Sequence, residues 1–181
     1  HFVARKDYRK TYDVYKDDTL LNRQPKKSRK IFVCLDEQRG QYLVDGLVAM
    51  DFPLSSGVKA YPTKTGDYAV ISKKEDHTSN LYGKMYDAEG KCINYNAEST
   101  DPIPEGGRFD GSPMPYWQRL TNAGLGLHVG KVRRHPVSHG CVRLPRNVAE
   151  ILYRQTSIGT PVTIRKTPLP VPEAQKVPAV Q

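Results

Sequence analysis

Residues 126–144, GLHVGKVRRHPVSHGCVRL, constrain the fold of this chain more than any other stretch. These nineteen residues contain one of the three cysteines and three of the five histidines, together with three glycines and three arginines. Leu127, His128 and Val129 alternate apolar and polar, which predicts a short strand that Gly130 ends. For the imidazole of His128 to reach the sulfur of Cys141, the two residues must come from neighbouring strands.

Cys141 has the local features of a nucleophile. A cysteine that attacks a carbonyl needs a neighbour that favours its thiolate and N–H groups directed at the developing oxyanion. Gly140 lets the backbone turn so that the N–H groups of Gly140 and Cys141 face one point. His128 is the candidate general base, and His135 is its rival in the same segment. His139 either contacts the substrate or shapes the oxyanion loop.

This pattern resembles the active-site signature of the YkuD-type L,D-transpeptidases, a histidine, a glycine-containing loop and then Ser-His-Gly-Cys-x-Arg. The matching residues are His128, Ser138, His139, Gly140, Cys141 and Arg143. The similarity covers roughly residues 30–166 and includes Ser55-Ser56-Gly57 and the stretch 63–68. It implies that Cys141, His128, His139 and Gly140 are catalytic and that Ser138 and Arg143 bind substrate.

The resemblance also implies an activity, L,D-transpeptidation of peptidoglycan stem peptides without a cofactor. Cys141 would attack a tetrapeptide stem at the L-centre of its third residue, release the terminal D-alanine and form a thioester. A second stem's amine, or water, would resolve the thioester, and Arg143 would pair with a stem carboxylate. Two alternatives remain, an L,D-carboxypeptidase that uses water as acceptor and a non-catalytic wall-binding module. The implied location is the cell envelope, periplasmic or extracytoplasmic.

Short apolar runs separated by turns predict a mainly β fold. Residues 31–35, 41–45 and 47–50 follow one another at the spacing of a meander, and Val148, Ile151 and Leu152 recur at helical spacing. With the family resemblance, these patterns predict a curved β-sheet or sandwich with one principal helix after Cys141.

The chain divides into three parts by composition. Residues 1–29 are polar and charged and predict an N-terminal arm with weak structure of its own. Residues 30–166 form the predicted catalytic domain, and the Pro-rich residues 167–181 predict an extended tail. Within the domain, the polar, glycine-containing stretch 73–108 predicts an irregular lid or groove wall. Tyr116 and Trp117 are candidate substrate contacts, although Trp117 is equally well explained as an anchor at the core edge.

The net charge and the cysteine content limit which ligands, disulfides and metals we expect. The net charge of +9 favours an anionic partner, but the basic residues are scattered and no nucleic-acid motif occurs, so we expect no nucleic acid. A bridge between Cys34 and Cys92 is possible but not favoured. A zinc site is the alternative interpretation of the histidine-rich segment. The lysine and arginines that flank these histidines would repel a metal cation, so we expect no metal.

The sequence contains no apolar run near the ~20 residues that span a bilayer and no signal peptide. Because the chain begins at His1, we expect that a signal or anchor segment has been removed. The sequence does not indicate an oligomeric state.

Overall fold

The structure of the protein is a computed structural model that describes residues 10–24 and 28–167. Within these ranges, short strands predominate. In chain order the elements are β1 (Tyr15–Lys16), α1 (Asp18–Asn22), β2 (Arg29–Cys34), β3 (Arg39–Val44), β4 (Leu47–Pro53), β5 (Gly66–Ala69), β6 (Ser72–Lys74), β7 (Thr78–Tyr86), β8 (Cys92–Glu98), β9 (Arg108–Pro113), β10 (Trp117–Arg119), β11 (Gly126–Val129), β12 (Val142–Leu144), α2 (Arg146–Gln155) and β13 (Pro161–Arg165). The predicted fold, mainly β with one principal helix following Cys141, is confirmed.

The largest sheet contains the predicted meander. Strands β2, β3 and β4 pair antiparallel in sequence order. The loop between β3 and β4 is Asp45-Gly46, with φ of 51° and 79°. Two positive φ angles are what a two-residue type I′ hairpin requires, and Asp-Gly adopts them at low cost. Further strands join both edges, giving the order β1-β4-β3-β2-β13-β5, with β13 parallel to β2.

A second sheet of four strands carries the chemistry-bearing segment. Its order is β12-β11-β10-β6, and β11 lies parallel to β12. Leu127, Val142 and Leu144 of these strands are buried in the core. Because alternate residues of a strand face opposite sides, His128 and Arg143 project from the other face. The sequence-based requirement that His128 lie on a strand next to the Cys141 segment is therefore met, although residues 139–141 form a bend rather than a strand.

Helix α2 completes a hydrophobic core that both sheets share. One cluster of buried side chains contains Ile31 and Ile164 from the six-stranded sheet, Leu127 from the four-stranded sheet, and Val148 and Leu152 from α2. The helical spacing in the sequence thus identified the buried face of α2. No helix among the described residues is long and apolar enough to cross a membrane.

Strands β7, β8 and β9 form a separate antiparallel sheet in the order β8-β7-β9. The prediction of an irregular 73–108 stretch is therefore wrong. These strands are largely exposed. Residues 93–97 alternate apolar and polar, as residues of an antiparallel strand do, but the surrounding stretch is polar and this signal for a strand was missed. None of the described residues 78–113 belongs to the main core cluster.

The N-terminal segment is more ordered than its composition predicts. Strand β1 pairs with β4, and Leu20 and Leu21 of α1 are buried in the core. The guanidinium of Arg39 donates hydrogen bonds to the carbonyls of Thr11 and Asp13, at 2.9 and 2.8 Å. The prediction of an arm with weak structure is thus wrong for residues 10–24, because long-range contacts fix this segment. Residues 1–9, and nearly all of the predicted tail, lie outside the described residues.

All three cysteines are free thiols. Cys34 is buried in β2, whereas Cys92 lies in β8 of the three-stranded sheet. The bridge between them that the sequence left open does not form in this structure.

Candidate active site

Three neighbouring strands place Trp117, His128 and Arg143 in one row. His128 is the register partner of Arg143 across β11 and β12. The antiparallel register of β10 and β11, in which Gln118 faces Leu127, sets Trp117 opposite His128. The two rings lie 6.0 Å apart between centroids. This row lies on the face of the sheet away from the core cluster, and all three side chains line one cavity.

The sulfur of Cys141 lies next to the backbone of β11 and of the turn before it. The thiol donates a hydrogen bond to the carbonyl of Gly124 at 3.3 Å. Burial raises the pKa of this thiol to about 11, although the main chain of Gly126 and the Arg143 guanidinium act in the opposite direction. Cys141 is therefore a neutral thiol in the unliganded protein.

His128 is a buried, neutral imidazole. It is only 7% exposed, and its Nδ1 lies 2.7 Å from the carbonyl of Val129. Because a carbonyl only accepts, Nδ1 carries the proton and Nε2 is left as the acceptor. Burial is the main reason that the pKa of His128 is lowered to about 4; the hydrogen bond to Val129 acts in the opposite direction, and the cation of Arg143 adds a smaller lowering effect.

The two pKa values correct one sequence-based expectation. The sequence predicted an environment that favours the Cys141 thiolate, with a charged His128 beside it. The prediction is wrong for the unliganded protein, because burial disfavours both charged forms. A neutral thiol and a neutral imidazole can still react if the proton moves to Nε2 while the sulfur attacks, which is general-base rather than ion-pair chemistry.

The turn before Cys141 is held by one hydroxyl. Ser138, only 1% exposed, accepts a hydrogen bond from the N–H of Gly140 at 3.2 Å and donates one to the carbonyl of Cys141 at 2.5 Å. Gly140 has a φ of 112°, which side-chain-bearing residues rarely adopt. The backbone therefore turns at this residue in a way that favours glycine, as the sequence predicted. Since the Gly140 N–H points at Ser138, it is not free as an oxyanion donor. The hydroxyl of Ser138 is used within the turn rather than toward a ligand.

Thr63 fixes the same turn from outside. Its hydroxyl donates to the carbonyl of Gly140 at 2.7 Å and accepts from the N–H of Gly57 at 2.8 Å. Sequence reasoning grouped Thr63 and Gly57 with the family-like segments but gave neither a role. The family-like segments thus contained Thr63 and Gly57, and the structure shows that these residues hold the turn before Cys141.

Aromatic rings connect the turn to the three-stranded sheet. The imidazole of His139 stacks on Tyr82 with centroids 4.4 Å apart and contacts Tyr61 at 4.9 Å. Across the site, His77 stacks on Trp117 at 5.0 Å. Sequence reasoning missed Tyr61, Tyr82 and His77, because no local pattern marks residues that converge only in the folded chain.

These residues line one cavity of about 790 Å³. Cys141, His128, His139, Gly140, Ser138, Arg143 and Trp117, all predicted from the sequence, contribute to its wall. Tyr116, also predicted, does not line it, because its ring packs against Tyr153 at 5.6 Å. His135 is exposed and also lies outside the wall, so among the two rival bases only His128 faces the cavity.

Comparisons with known proteins agree with this arrangement. The family model of the L,D-transpeptidase catalytic domain, YkuD, matches residues 28–164. Probable L,D-transpeptidase 3 of Mycobacterium tuberculosis is 31% identical over 121 residues, which are 63% of this chain and 38% of that protein. The catalytic domain of the Enterococcus faecium L,D-transpeptidase has a similar structure, with a TM-score of 0.55 and 28% identity over 77% of this chain and 98% of that one.

A third solved structure, an LD transpeptidase in complex with imipenem, shares the fold. Its TM-score is 0.58 at 20% identity, covering 76% of this chain and 59% of that one. The chain spans little more than a third of the curated relative that it matches. The family match nevertheless covers most of the chain and includes both His128 and Cys141. The chain therefore belongs to the YkuD family of L,D-transpeptidase catalytic domains.

Proposed function

We propose that this domain is a cysteine-dependent L,D-transpeptidase that acts on peptidoglycan tetrapeptide stems through a thioester on Cys141. The observation that carries the proposal is one cavity in which a thiol, a neutral buried imidazole with a free Nε2, and a guanidinium converge. No cofactor enters the reaction. We also propose that it acts outside the cytoplasmic membrane, in the cell envelope, where such stems are found.

In the first half-reaction, Cys141 attacks the carbonyl at the L-centre of the third stem residue. Nε2 of His128 takes the thiol proton as the carbon–sulfur bond forms, so no free thiolate is required beforehand. The N–H of Cys141 is the nearest main-chain donor for the oxyanion, since that of Gly140 is bonded to Ser138. The carbon–nitrogen bond then breaks, His128 returns the proton to the leaving amine, and D-alanine departs.

In the second half-reaction, the amine of an acceptor stem attacks the thioester. His128, neutral again, accepts the proton of this amine, and the thiol of Cys141 leaves with a proton from His128. Arg143 pairs with a carboxylate of the stem, a task suited to a planar guanidinium. Nothing in this sequence of steps needs an oxidant, a reductant or a metal.

Product analysis with purified tetrapeptide muropeptides tests the proposal. Cross-linked dimers are expected for a transpeptidase, trimmed tripeptides for an L,D-carboxypeptidase, and unchanged substrate for a wall-binding module. Cys141→Ser should abolish product formation. Cys92→Ser, which removes a thiol from the three-stranded sheet, is the matched control and should keep it. Dimers formed by Cys141→Ser would refute the assigned nucleophile.

Imipenem offers a second readout that needs no stem peptide. Because a related enzyme has been solved in complex with imipenem, we expect this domain to gain the mass of the drug. Peptide mapping should locate the adduct on Cys141, and Cys141→Ser should show none. An adduct on Cys34 or Cys92 would contradict the proposed site.

A further inference from the structure

The wall of the active-site cavity carries positive charge only. Four cationic side chains contribute to it, Lys64, Arg119, Lys131 and Arg143. The described residues that line the cavity include no aspartate and no glutamate. A cavity of this composition attracts anions and repels cations.

These four cations have no carboxylate partner among the described residues. Elsewhere in the described chain, ion pairs with aspartate or glutamate hold the side chains of Lys16, Arg23, Arg39, Arg108, Arg154 and Arg165. Some cations of the described residues thus have carboxylate partners, whereas the cavity wall contains no carboxylate that could pair with its own four cations. An anionic ligand would supply the missing partners.

The strand register sets Arg119 and Arg143 in two different directions from the nucleophile. Arg119 is the register partner of Gly126. Continuing the register of β11 and β12 by one residue places Cys141 on the other side of Gly126. Arg119 and Cys141 are thus separated by two strand spacings, roughly 10 Å. The indole of Trp117 lies over Gly126, between them. Arg143 lies two residues after Cys141, in β12, so its direction from Cys141 is roughly perpendicular to that of Arg119.

Arg119 faces the cavity for a reason that lies in the strand. Its neighbour Gln118 is fully buried on the opposite face, where it accepts a hydrogen bond from Thr156 at 2.6 Å. Alternation then turns both Trp117 and Arg119 toward the cavity. The charge of Arg119 acts within the cavity, since it helps to lower the pKa of His77, after burial and Lys74.

We infer that Arg119 is a specificity-determining residue that binds a second carboxylate of the donor stem. This inference rests on the proposed function, in which Arg143 already pairs with one stem carboxylate. The donor then carries two free carboxylates, one paired with Arg143 and one paired with Arg119. A stem in which the second carboxyl group is a carboxamide has nearly the same shape but lacks the charge, so it is a poorer donor.

A matched pair of synthetic tetrapeptide donors tests the inference. One has a free carboxylate on an internal residue, and the other has the carboxamide at that position. For the unmodified domain we expect kcat/KM to be about 10- to 100-fold higher for the free carboxylate, as for loss of a charge-assisted hydrogen bond. Arg119→Gln should reduce this ratio to near 1, and Arg119→Lys should retain part of it.

Arg154→Gln is the matched control, because it removes the same charge from an exposed ion pair on α2 and should preserve the ratio. Thermal unfolding of each variant verifies that it is folded. Equal use of both donors by the unmodified domain, or an unchanged ratio in folded Arg119→Gln, would overturn the role of Arg119 while leaving the transpeptidase proposal intact. Absence of turnover with either donor would overturn both.

Discussion

The thiol of Cys141 is expected to react slowly at neutral pH in the free protein. Burial raises its pKa to about 11, compared with an ordinary value of 9.0. At pH 7 about one molecule in 10⁴ is then a thiolate, instead of about one in 10². A thiolate of higher pKa is intrinsically more nucleophilic, which recovers roughly tenfold over this range. The net expectation is a rate about tenfold below that of an ordinary thiol.

Exchange with a neutral aromatic disulfide measures this rate. Between pH 6 and 9.5 the rate should rise about tenfold per pH unit without reaching a plateau. Cys92→Ser is a suitable background, because Cys92 is partly exposed, and mass mapping separates the product at Cys141 from any product at buried Cys34.

Two variants distinguish general-base chemistry from an ion pair. His128→Gln should leave the pH profile of exchange nearly unchanged, because a neutral imidazole adds no charge beside the sulfur. The same variant should lower acylation by a peptide donor by about 10²- to 10⁴-fold, since the base is lost. Arg143→Gln should slow exchange at a fixed pH, because the guanidinium lowers the pKa of the thiol. A plateau with an inflection below pH 8, abolished by His128→Gln, would refute this reasoning.

Three further predictions concern stability and dynamics. In the folded protein the pKa of His128 is about 4, below its ordinary 6.5. The unfolded chain therefore takes up a proton at this residue first, and the free energy of unfolding falls by about 3 kcal/mol as the pH drops from 6.5 to 4. Urea unfolding between pH 7 and 4 should show this loss and a smaller one in His128→Gln; equal losses would contradict it. Arg39→Gln should cost about 3–5 kcal/mol in the same assay because it removes the cation that is paired with buried Asp51, whereas Arg108→Gln, at an exposed pair, should change stability by less than about 1 kcal/mol. Hydrogen exchange should be faster in residues 78–113, outside the core cluster, than in residues 124–165, and acylation should slow it; uniform protection would count against a mobile wall.

The sequence by itself identified most of the residues that meet in the candidate site. The Ser-His-Gly-Cys-x-Arg pattern and the alternation around His128 are local features, and each has a local physical cause. Gly140 takes a φ that side chains disfavour, and Val148 and Leu152 recur with the period of a helix. Such patterns are readable because they depend on residues a few positions apart.

The tertiary structure decided how those residues behave. Strand pairing, not local sequence, brings Arg119 and Arg143 to the same cavity as Cys141. The three-stranded sheet lies outside the main core cluster, so its short alternation at residues 93–97 stands among exposed polar residues and was hard to recognise. Arg39 orders the N-terminal segment by bonding to carbonyls 26 and 28 residues away. The thiol pKa was also beyond the sequence, because it depends on how much water the assembled strands exclude from the sulfur, a property that no single segment possesses.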